Sequence, residues 1–328
     1  MLHILNGGST EETLKRTDVQ GESFSFRDAL IDGPTPANVN AATWRHVRAE
    51  HLSSGYGADF EECEKSLLEQ EQTLNSSSAH DEVVLWFEHD LFCQLNLLYL
   101  LDWFSSANLG QTRLSLINIG EFSGREGFRG LGELDAGELA SLFPYREPVD
   151  NVQLDLAARS WRAYCSSNPE AIEQLLRSDT SAFPFLATAL TAHLQRFPSV
   201  ANGLDRIENR CLALVDGGQQ RFIDLFPKFI ESESVYGLGD AQIWTSLARL
   251  RDARTPLLSA DTTAAHLTPD LLRSAMFSIT DAGRDVLQNR ADYLESNEID
   301  AWLGGVHLKT GAPIWRWNET TGKLQSAS

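Results

Sequence analysis

Cysteine is scarce in this sequence of 328 residues, and its spacing matches no structural metal site. The four cysteines, Cys63, Cys93, Cys165 and Cys211, include no C-x-x-C pair. This pattern excludes a zinc ribbon and a dense disulfide framework, and it indicates a reducing compartment. Cys93 falls in an apolar stretch, which predicts a small core residue. The alternative for Cys93 is a nucleophilic thiol, because a nearby helix N-terminus lowers the pKa of a thiol.

The sequence also lacks a hydrophobic run of the roughly 20 residues that cross a membrane. Its longest apolar stretch, 91–104, is interrupted by Gln94, Asn96 and Asp102. The opening residues, MLHILNGGST, lack the basic region and long apolar core of a secretory signal. We therefore expect a cytoplasmic protein that makes no contact with a membrane.

Positive charge is in short supply, with 27 Lys and Arg against 46 Asp and Glu, a net charge of −19. Such a polyanion is repelled by a phosphate backbone, which disfavours DNA as a partner. Residues 1–200 carry 14 basic and 29 acidic side chains, whereas residues 201–328 carry 13 and 17. The C-terminal part is therefore close enough to neutral to hold a local basic patch.

The clearest positive signal is the stretch 81–104. Val83–Phe87 is a continuous apolar run, which is typical of a strand buried on both faces. Glu88, His89 and Asp90 follow directly, and the next residues favour an apolar helix with Asp90 as its N-cap. Three ionisable side chains at the junction of two buried elements are the strongest indication of a functional site.

The elements around this stretch predict a Rossmann-like α/β domain over residues 1–150. Strands are expected at Leu2–Leu5, Glu22–Phe26 and Arg113–Ile119, with helical patterns between them. The alternation of strands and helices predicts a parallel sheet with right-handed crossovers. Ligands of such sheets bind beyond the carboxyl ends of the strands.

The residues at those strand ends are the candidate site. Asn6, Gly7, Gly8 and Ser9 form a turn before a helix that Ser9 is predicted to cap, and free N–H groups at a helix start suit an anion. The alternative is a tight turn that needs glycine for its backbone alone. The candidate side chains beyond this turn are Arg27, Asp28, Glu88, His89, Asp90 and Gln94.

Residues 121–137 are rich in glycine and connect the third of these strands to a helix. One interpretation is a mobile lid over the strand ends, from which Arg125 and Arg129 would reach an anionic ligand. The interpretation that we favour is an ordinary surface loop.

The rest of the chain is predicted to be mainly helical. Residues 151–200 form a helical connector, and residues 201–328 form a helical, winged-helix-like domain. Met276–Thr280 resembles a strand, and the I-T-D-A-G-R-x-V-L pattern that it leads into is typical of winged-helix modules. The closing residues 302–317 predict one β-hairpin that turns at Thr310–Gly311.

Several motifs resemble those of a bacterial protein family catalogued as a domain of unknown function, the 1835 group. In the N-terminal half they are M-L-H-I-L-N-G-G-S at 1–9, F-R-D-A-L-I-D-G-P at 26–34 and L-W-F-E-H-D-L-F-C-Q-L at 85–95. The segments similar to the usual C-terminal half of that family are G-L-D-R-I-E at 203–208, G-L-G-D at 237–240, W-L-G-G-V-H-L at 302–308 and W-R-W at 315–317. The resemblance implies that residues 6–9, 27–34 and 88–94 belong to one unit, and it implies no activity.

Our first hypothesis is a hydrolase or transferase that acts on a nucleotide or another phosphorylated small molecule. Arg27 and the turn at 7–9 would bind the anion, and His89 would be the base, since imidazole titrates near neutral pH. Asp28 or Asp90 would orient that base or hold a divalent metal ion.

The same residues also allow a purely structural interpretation. Asp90 then only caps a helix, Glu88 pairs with Arg27, and His89 is satisfied by a main-chain carbonyl. Under this interpretation the strand ends have no chemical role.

Our second hypothesis is a regulator or interaction protein without enzymatic activity. Its α/β half would sense a small ligand, and its winged-helix-like half would bind DNA or another protein. Arg249, Arg251 and Arg254 are the basic residues available to a recognition helix at 241–250. The oligomeric state is left open by both hypotheses.

Overall fold

A computed structural model describes residues 1–327. The strands are β1 (Leu2–Asn6), β2 (Glu22–Phe26), β3 (Gly33–Pro34), β4 (Glu82–Glu88), β5 (Arg113–Ile119), β6 (Glu147–Pro148), β7 (Leu258–Ala260), β8 (Phe277–Ile279), β9 (Asp300–Gly304), β10 (Val306–Lys309), β11 (Ile314–Asn318) and β12 (Lys323–Ala327). The helices are α1 (Gly8–Leu14), α2 (Ala41–Tyr56), α3 (Phe60–Asn75), α4 (Leu91–Ser106), α5 (Ala136–Leu142), α6 (Asn151–Tyr164), α7 (Glu170–Leu176), α8 (Leu186–Leu194), α9 (Arg206–Asp216), α10 (Phe222–Ser232), α11 (Asp240–Asp252), α12 (Pro269–Ser274), α13 (Asp281–Leu287) and α14 (Tyr293–Ser296).

The N-terminal part is built on a five-stranded sheet in the order β2-β1-β4-β5-β6. Strands β2, β1, β4 and β5 run parallel, which confirms the predicted α/β class. The edge strand β6 pairs antiparallel with β5, so the sheet is mixed rather than wholly parallel. Strand β4 lies at the centre, where Val83 pairs with Leu2 on one side and with Leu114 on the other.

Strand β4 is buried along its whole length, as its continuous apolar run predicts. Because side chains alternate across a strand, Val84 and Trp86 face one side of the sheet and Leu85 and Phe87 face the other. The first pair packs in a small core with Leu131, and the second pair packs in the main core with α4.

Helix α4 follows β4 after two residues and is strongly apolar. Asp90 caps it by accepting the Cys93 N–H at 2.9 Å, which confirms the predicted cap. The helix packs against β4, α6 and α8. Its buried side chains join one continuous apolar core that runs from the sheet to α9 and α11. The proposed domain boundaries at residues 150 and 200 therefore remain predictions.

The C-terminal part is helical, with short antiparallel strand pairs. Helices α9, α10 and α11 precede the antiparallel pair β7 and β8. The predicted single hairpin over 302–317 is wrong, because β9 pairs with β10 and β11 pairs with β12. The reversal comes at Gly304, whose φ of 62° places it in the left-handed region.

The N-terminal and C-terminal parts of the chain meet at β3. Gly33 of β3 pairs in parallel with Leu303 of β9, so β3 and the β9–β10 hairpin form one small sheet. Among the described residues, no helix has the combination of length and apolar character that a membrane span needs.

Candidate functional site

Glu88, Asp90 and Cys93 form a buried cluster at the carboxyl end of β4, which we call the strand-end cluster. Glu88 Oε2 lies 2.8 Å from Cys93 Sγ, and Asp90 Oδ1 accepts the Cys93 N–H. One potential ligand atom from each residue lies within 4.8 Å of the others. This spacing would let the three side chains share a proton or a metal ion.

Burial dominates the electrostatics of this cluster. Together with the neighbouring charge of Asp90, it raises the pKa of Glu88 to about 7. It also raises the pKa of Asp90, and it raises the pKa of the Cys93 thiol well above the usual value. Cys93 therefore stays protonated near neutral pH without a cation, which argues against the nucleophile alternative.

Amide side chains extend the strand-end cluster along α4. The Asn6 Nδ2 group donates to Cys93 Sγ at 2.8 Å, and Asn96 Nδ2 donates to Asn6 Oδ1 at 2.8 Å. Gln94 Nε2 donates to the Glu88 carbonyl at 2.7 Å and to Asn118 Oδ1 at 3.2 Å. The structure thus brings together Asn6, Glu88, Asp90 and Gln94 of the predicted residues. Sequence reasoning missed Asn96, which lies within an apolar helix, and considered Cys93 only as an alternative nucleophile.

Segment 121–137 lies over the strand-end cluster. The Leu131 N–H donates to Glu88 Oε1 at 2.8 Å, and a Cβ at Gly130 would come within 3.0 Å of the same oxygen. Arg129 pairs with Glu133 inside the segment, and Arg125 pairs with Glu138 of the following helix α5. The segment therefore packs on the strand end, its two guanidinium groups are engaged by carboxylates, and its role as a mobile lid stays a prediction.

His89 points away from the strand-end cluster, as alternation along an extended chain requires. Its ring meets Phe185 edge-on, with centroids 5.9 Å apart. Its buried Nδ1 has no hydrogen-bond partner within residues 1–327. Within residues 1–327 the structure therefore shows no main-chain carbonyl that accepts a hydrogen bond from His89 Nδ1.

Asp28 lies in a different environment from the one we predicted. Its carboxylate is buried and takes two hydrogen bonds from Arg48, whose Nη2 lies 2.6 Å away and whose Nε lies 3.0 Å away. Arg27 is exposed, and its main-chain N–H donates to Gln70. Neither residue joins Glu88, because β2 is separated from β4 by β1.

The turn at Gly7–Ser9 is an exposed entry to α1. Gly7 has a φ of 97° and is itself the N-cap, so the predicted Ser9 cap is wrong. The required left-handed backbone explains glycine at this position. Gly8 and Ser9 form the first turn of α1, whose seven residues make a short helix.

A large groove lies between α2, α3, α4 and α6, and sequence reasoning missed it. Its volume is about 910 Å³, and we call it the aromatic groove. Six aromatic side chains line it: Phe26, Trp44, Tyr99, Trp103, Trp161 and Trp302. Trp44 stacks on Tyr99 with centroids 5.5 Å apart, and Trp161 meets both rings edge-on.

Charged groups of both signs are set among these rings. Arg45 pairs with Glu71, and Asp28 reaches the groove near the end of β2. Asp102 is partly buried, which raises the pKa of its carboxyl group, and the positive charge of Arg162 opposes that shift. Arg162 is exposed and forms no ion pair within the described chain. The groove therefore combines an aromatic wall with one uncommitted guanidinium group.

Comparisons with known proteins add no relative. No family model matches the sequence, and no match is found among curated proteins. Membership of the family that the N-terminal motifs resemble therefore remains a prediction.

Proposed function

We propose that the protein binds a nucleotide, or a similar compound with an aromatic ring and a phosphate, in the aromatic groove. The observation that carries this proposal is the groove of about 910 Å³ with six aromatic rings on its walls. Small-molecule sites are typically concave cavities of roughly 300–1,000 Å³, lined by apolar and aromatic side chains with a few polar groups.

The aromatic wall supports the ring part of this ligand. Trp44, Tyr99 and Trp161 pack as one cluster, with mutual centroid distances of 5.4–6.0 Å. Aromatic pairs prefer offset or edge-to-face contacts of this kind. A nucleobase stacked on such a side chain gains about 1–3 kcal/mol of binding free energy.

Arg162 supports the phosphate part. A guanidinium group binds phosphate through paired N–H donors, and Arg162 is exposed at the groove without a carboxylate partner in residues 1–327. Arg45, half-buried and paired with Glu71, offers a second positive charge nearby. We therefore assign to Arg162 the anion-binding role that the sequence analysis assigned to Arg27.

Calorimetric titration with adenosine, AMP and ribose 5-phosphate tests this proposal. We expect Arg162→Ala to weaken AMP binding by about tenfold or more and to leave adenosine binding unchanged. The matched control is Arg159→Ala, which removes an exposed arginine one turn earlier on α6 that pairs with Asp155 outside the groove. Trp44→Leu should weaken both AMP and adenosine. Failure of all three compounds to bind, or binding that survives Trp44→Leu, would contradict the proposal.

A second candidate is a metal-dependent hydrolase or transferase at the strand-end cluster. The observation in its favour is the set of three potential ligand atoms, from Glu88, Asp90 and Cys93, within 4.8 Å of one another. Two carboxylates and a thiolate suit a borderline cation such as Zn²⁺ or Co²⁺ better than Mg²⁺. Cobalt titration gives a thiolate charge-transfer band if Cys93 binds the ion, and Cys93→Ser should abolish that band. No band in the wild type would remove this candidate.

For residues 204–287 we propose a winged-helix-like module that serves as a protein contact. Three helices followed by an antiparallel strand pair support this assignment, as does the single antiparallel bridge between Arg221 and Met276 just before β8. Two of the arginines expected to reach DNA form ion pairs, Arg249 with Glu208 and Arg251 with Asp252, and Arg254 donates to the Ser296 carbonyl. A gel-shift assay with duplex DNA should show no complex, and a complex at moderate salt would favour DNA instead.

A further inference from the structure

A second cavity lies between α2, α11 and β9, outside the aromatic groove. Its volume is about 310 Å³, and we call it the polar cleft. Asp32 and His51 line one side, and Asp205 and Arg249 line another. Trp302 borders both the polar cleft and the aromatic groove, but the charged residues of the cleft belong to it alone.

The His51 ring packs directly against two glycines, Gly33 and Gly55, in the wall of the polar cleft. A Cβ at Gly33 would come within 2.3 Å of the His51 ring, and a Cβ at Gly55 would lie 3.5 Å from it. Gly33 also has a φ of 75°, which disfavours any other residue. The imidazole position is therefore specified by its surroundings.

Two buried nitrogen atoms of the cleft lack partners within residues 1–327. They are His51 Nε2 and Arg196 Nε, and Arg196 is only 7% exposed. The other Arg196 nitrogens bind Asp32 Oδ1 and the Ile31 carbonyl, both at 2.5 Å. Burying an unpaired polar group is unfavourable, so each nitrogen would gain from a hydrogen-bond partner, and both side chains line the cleft.

The two nitrogens can take opposite partners, since neutral His51 accepts at Nε2 when its proton is on Nδ1. Arg196 Nε–H is a donor only and needs an acceptor. Burial and the charge of Arg48 lower the pKa of His51 to about 4, so its imidazole is neutral at physiological pH and can accept a hydrogen bond at Nε2. A hydroxyl group both donates and accepts, and a compound with adjacent hydroxyls can satisfy both nitrogens.

The charges around the cleft disfavour an ionic ligand. The lining includes three carboxylates, from Asp32, Asp205 and Asp300, and two guanidinium groups, from Arg196 and Arg249. A cation would meet two guanidinium groups, and an anion would meet three carboxylates. A neutral ligand with several polar groups avoids both conflicts.

We propose that the polar cleft binds a neutral polyhydroxylated compound of about monosaccharide size. Its hydroxyls accept from Arg196 Nε and donate to His51 Nε2, and Trp302 provides an apolar surface for its ring carbons. The volume of the cleft lies at the lower end of the range for small-molecule sites. Nothing in this assignment depends on nucleotide binding in the aromatic groove.

Saturation-transfer NMR with D-glucose, D-galactose, D-ribose and myo-inositol tests this proposal, with ethanolamine and acetate as charged comparators. At least one polyol should bind the full chain, and neither comparator should bind more tightly. His51→Phe keeps a ring between the two glycines but removes Nε2, so it should weaken polyol binding by about tenfold or more. The matched control is His46→Phe on the same helix, which lies outside the cleft and should bind as the wild type does.

A second variant tests the same cleft without changing His51. Thr245 is exposed and lines the cleft, so Thr245→Trp fills the mouth without disturbing the core and should abolish polyol binding. The proposal is overturned if no polyol binds, if a charged comparator binds more tightly than every polyol, or if polyol binding survives Thr245→Trp. Arg162→Ala, which weakens nucleotide binding, should leave polyol binding unchanged.

Discussion

Gly237 packs directly against Asp90, the N-cap of α4. A Cβ at Gly237 would lie 2.0 Å from Asp90 Oδ1, and the glycine has a φ of 65°. The segment between α10 and α11 therefore closes over the strand-end cluster from the C-terminal side, while Leu131 covers Glu88 from the other.

This contact makes Gly237→Ala strongly destabilising. The substitution adds left-handed backbone strain and a clash with a buried carboxylate, for a loss of roughly 2–4 kcal/mol in the free energy of unfolding. Gly218→Ala is the matched control, because Gly218 has a φ of 98° but open space around its Cβ position. It should lose only about 1 kcal/mol. Urea unfolding of both variants measures the difference, and equal losses would show that the clash is relieved.

The buried pair of Asp28 and Arg48 is expected to be essential for stability. Arg48 is fully buried, and its guanidinium group also binds the carbonyls of Ala29 and Asp32. Arg48→Ala leaves the Asp28 charge buried and unpaired, which costs about 3–5 kcal/mol. Arg45→Ala, three residues earlier, breaks a more exposed pair with Glu71 and should cost less than about 1 kcal/mol. Similar losses in chemical denaturation would contradict this ranking.

Glu88 should make the protein less stable as the pH rises. The unfolded carboxyl loses its proton near pH 4.5, whereas the folded one keeps it up to about pH 7. The stability from this proton is full below about pH 4.5 and is lost as the pH rises through about 7. Glu88→Gln should remove roughly 1–3 kcal/mol of the difference between the free energies of unfolding at about pH 5 and about pH 8.

Glu82 on the same strand is the control for this pH dependence. Hydrogen bonding to Arg146 lowers the pKa of Glu82 to about 2. Its contribution is therefore present above about pH 4.5 and is lost only as the pH falls towards 2. Glu82→Gln should leave the difference between pH 5 and pH 8 unchanged. A change as large as that of Glu88→Gln would mean that the titrating group is not Glu88.

The Tyr164 hydroxyl should contribute measurably to stability. It donates a hydrogen bond of 2.7 Å to the Leu30 carbonyl, and the residue is 1% exposed. Tyr164→Phe leaves that buried carbonyl without its partner, which costs about 1–3 kcal/mol. Tyr145→Phe removes a hydroxyl from a side chain that is 80% exposed and should change thermal stability very little. Two variants of equal stability would contradict this account.

The elements that local pattern specifies were predicted correctly. The short apolar run of Val83–Phe87 favours a strand with both faces covered, and Asp90 before an apolar helix is a strong cap signal. The position of Glu88 at a strand end followed directly from these two elements.

Contacts between residues that are far apart in the chain could not be predicted from the sequence. Nothing in the chain near Asp28 shows that Arg48, twenty residues later, takes its carboxylate. The tryptophans of the aromatic groove lie in α2, α4, α6 and β9, and only the packing of these elements brings them together. The prediction for 302–317 was wrong for a local reason. The segment contains two possible turns with glycine, and the chain reverses between β9 and β10 at Gly304, whereas we predict the turn at Gly311.

The parallel pairing of Gly33 with Leu303 has a consequence for synthesis on the ribosome. The loop after β2 emerges early, but the strand that completes its small sheet is translated 270 residues later. At bacterial or eukaryotic elongation rates of about 5–20 residues per second, the wait is roughly 14–54 s. During this time the nascent chain exposes an unpaired edge beside Asp32, so the fold is completed only after most of the chain has been made.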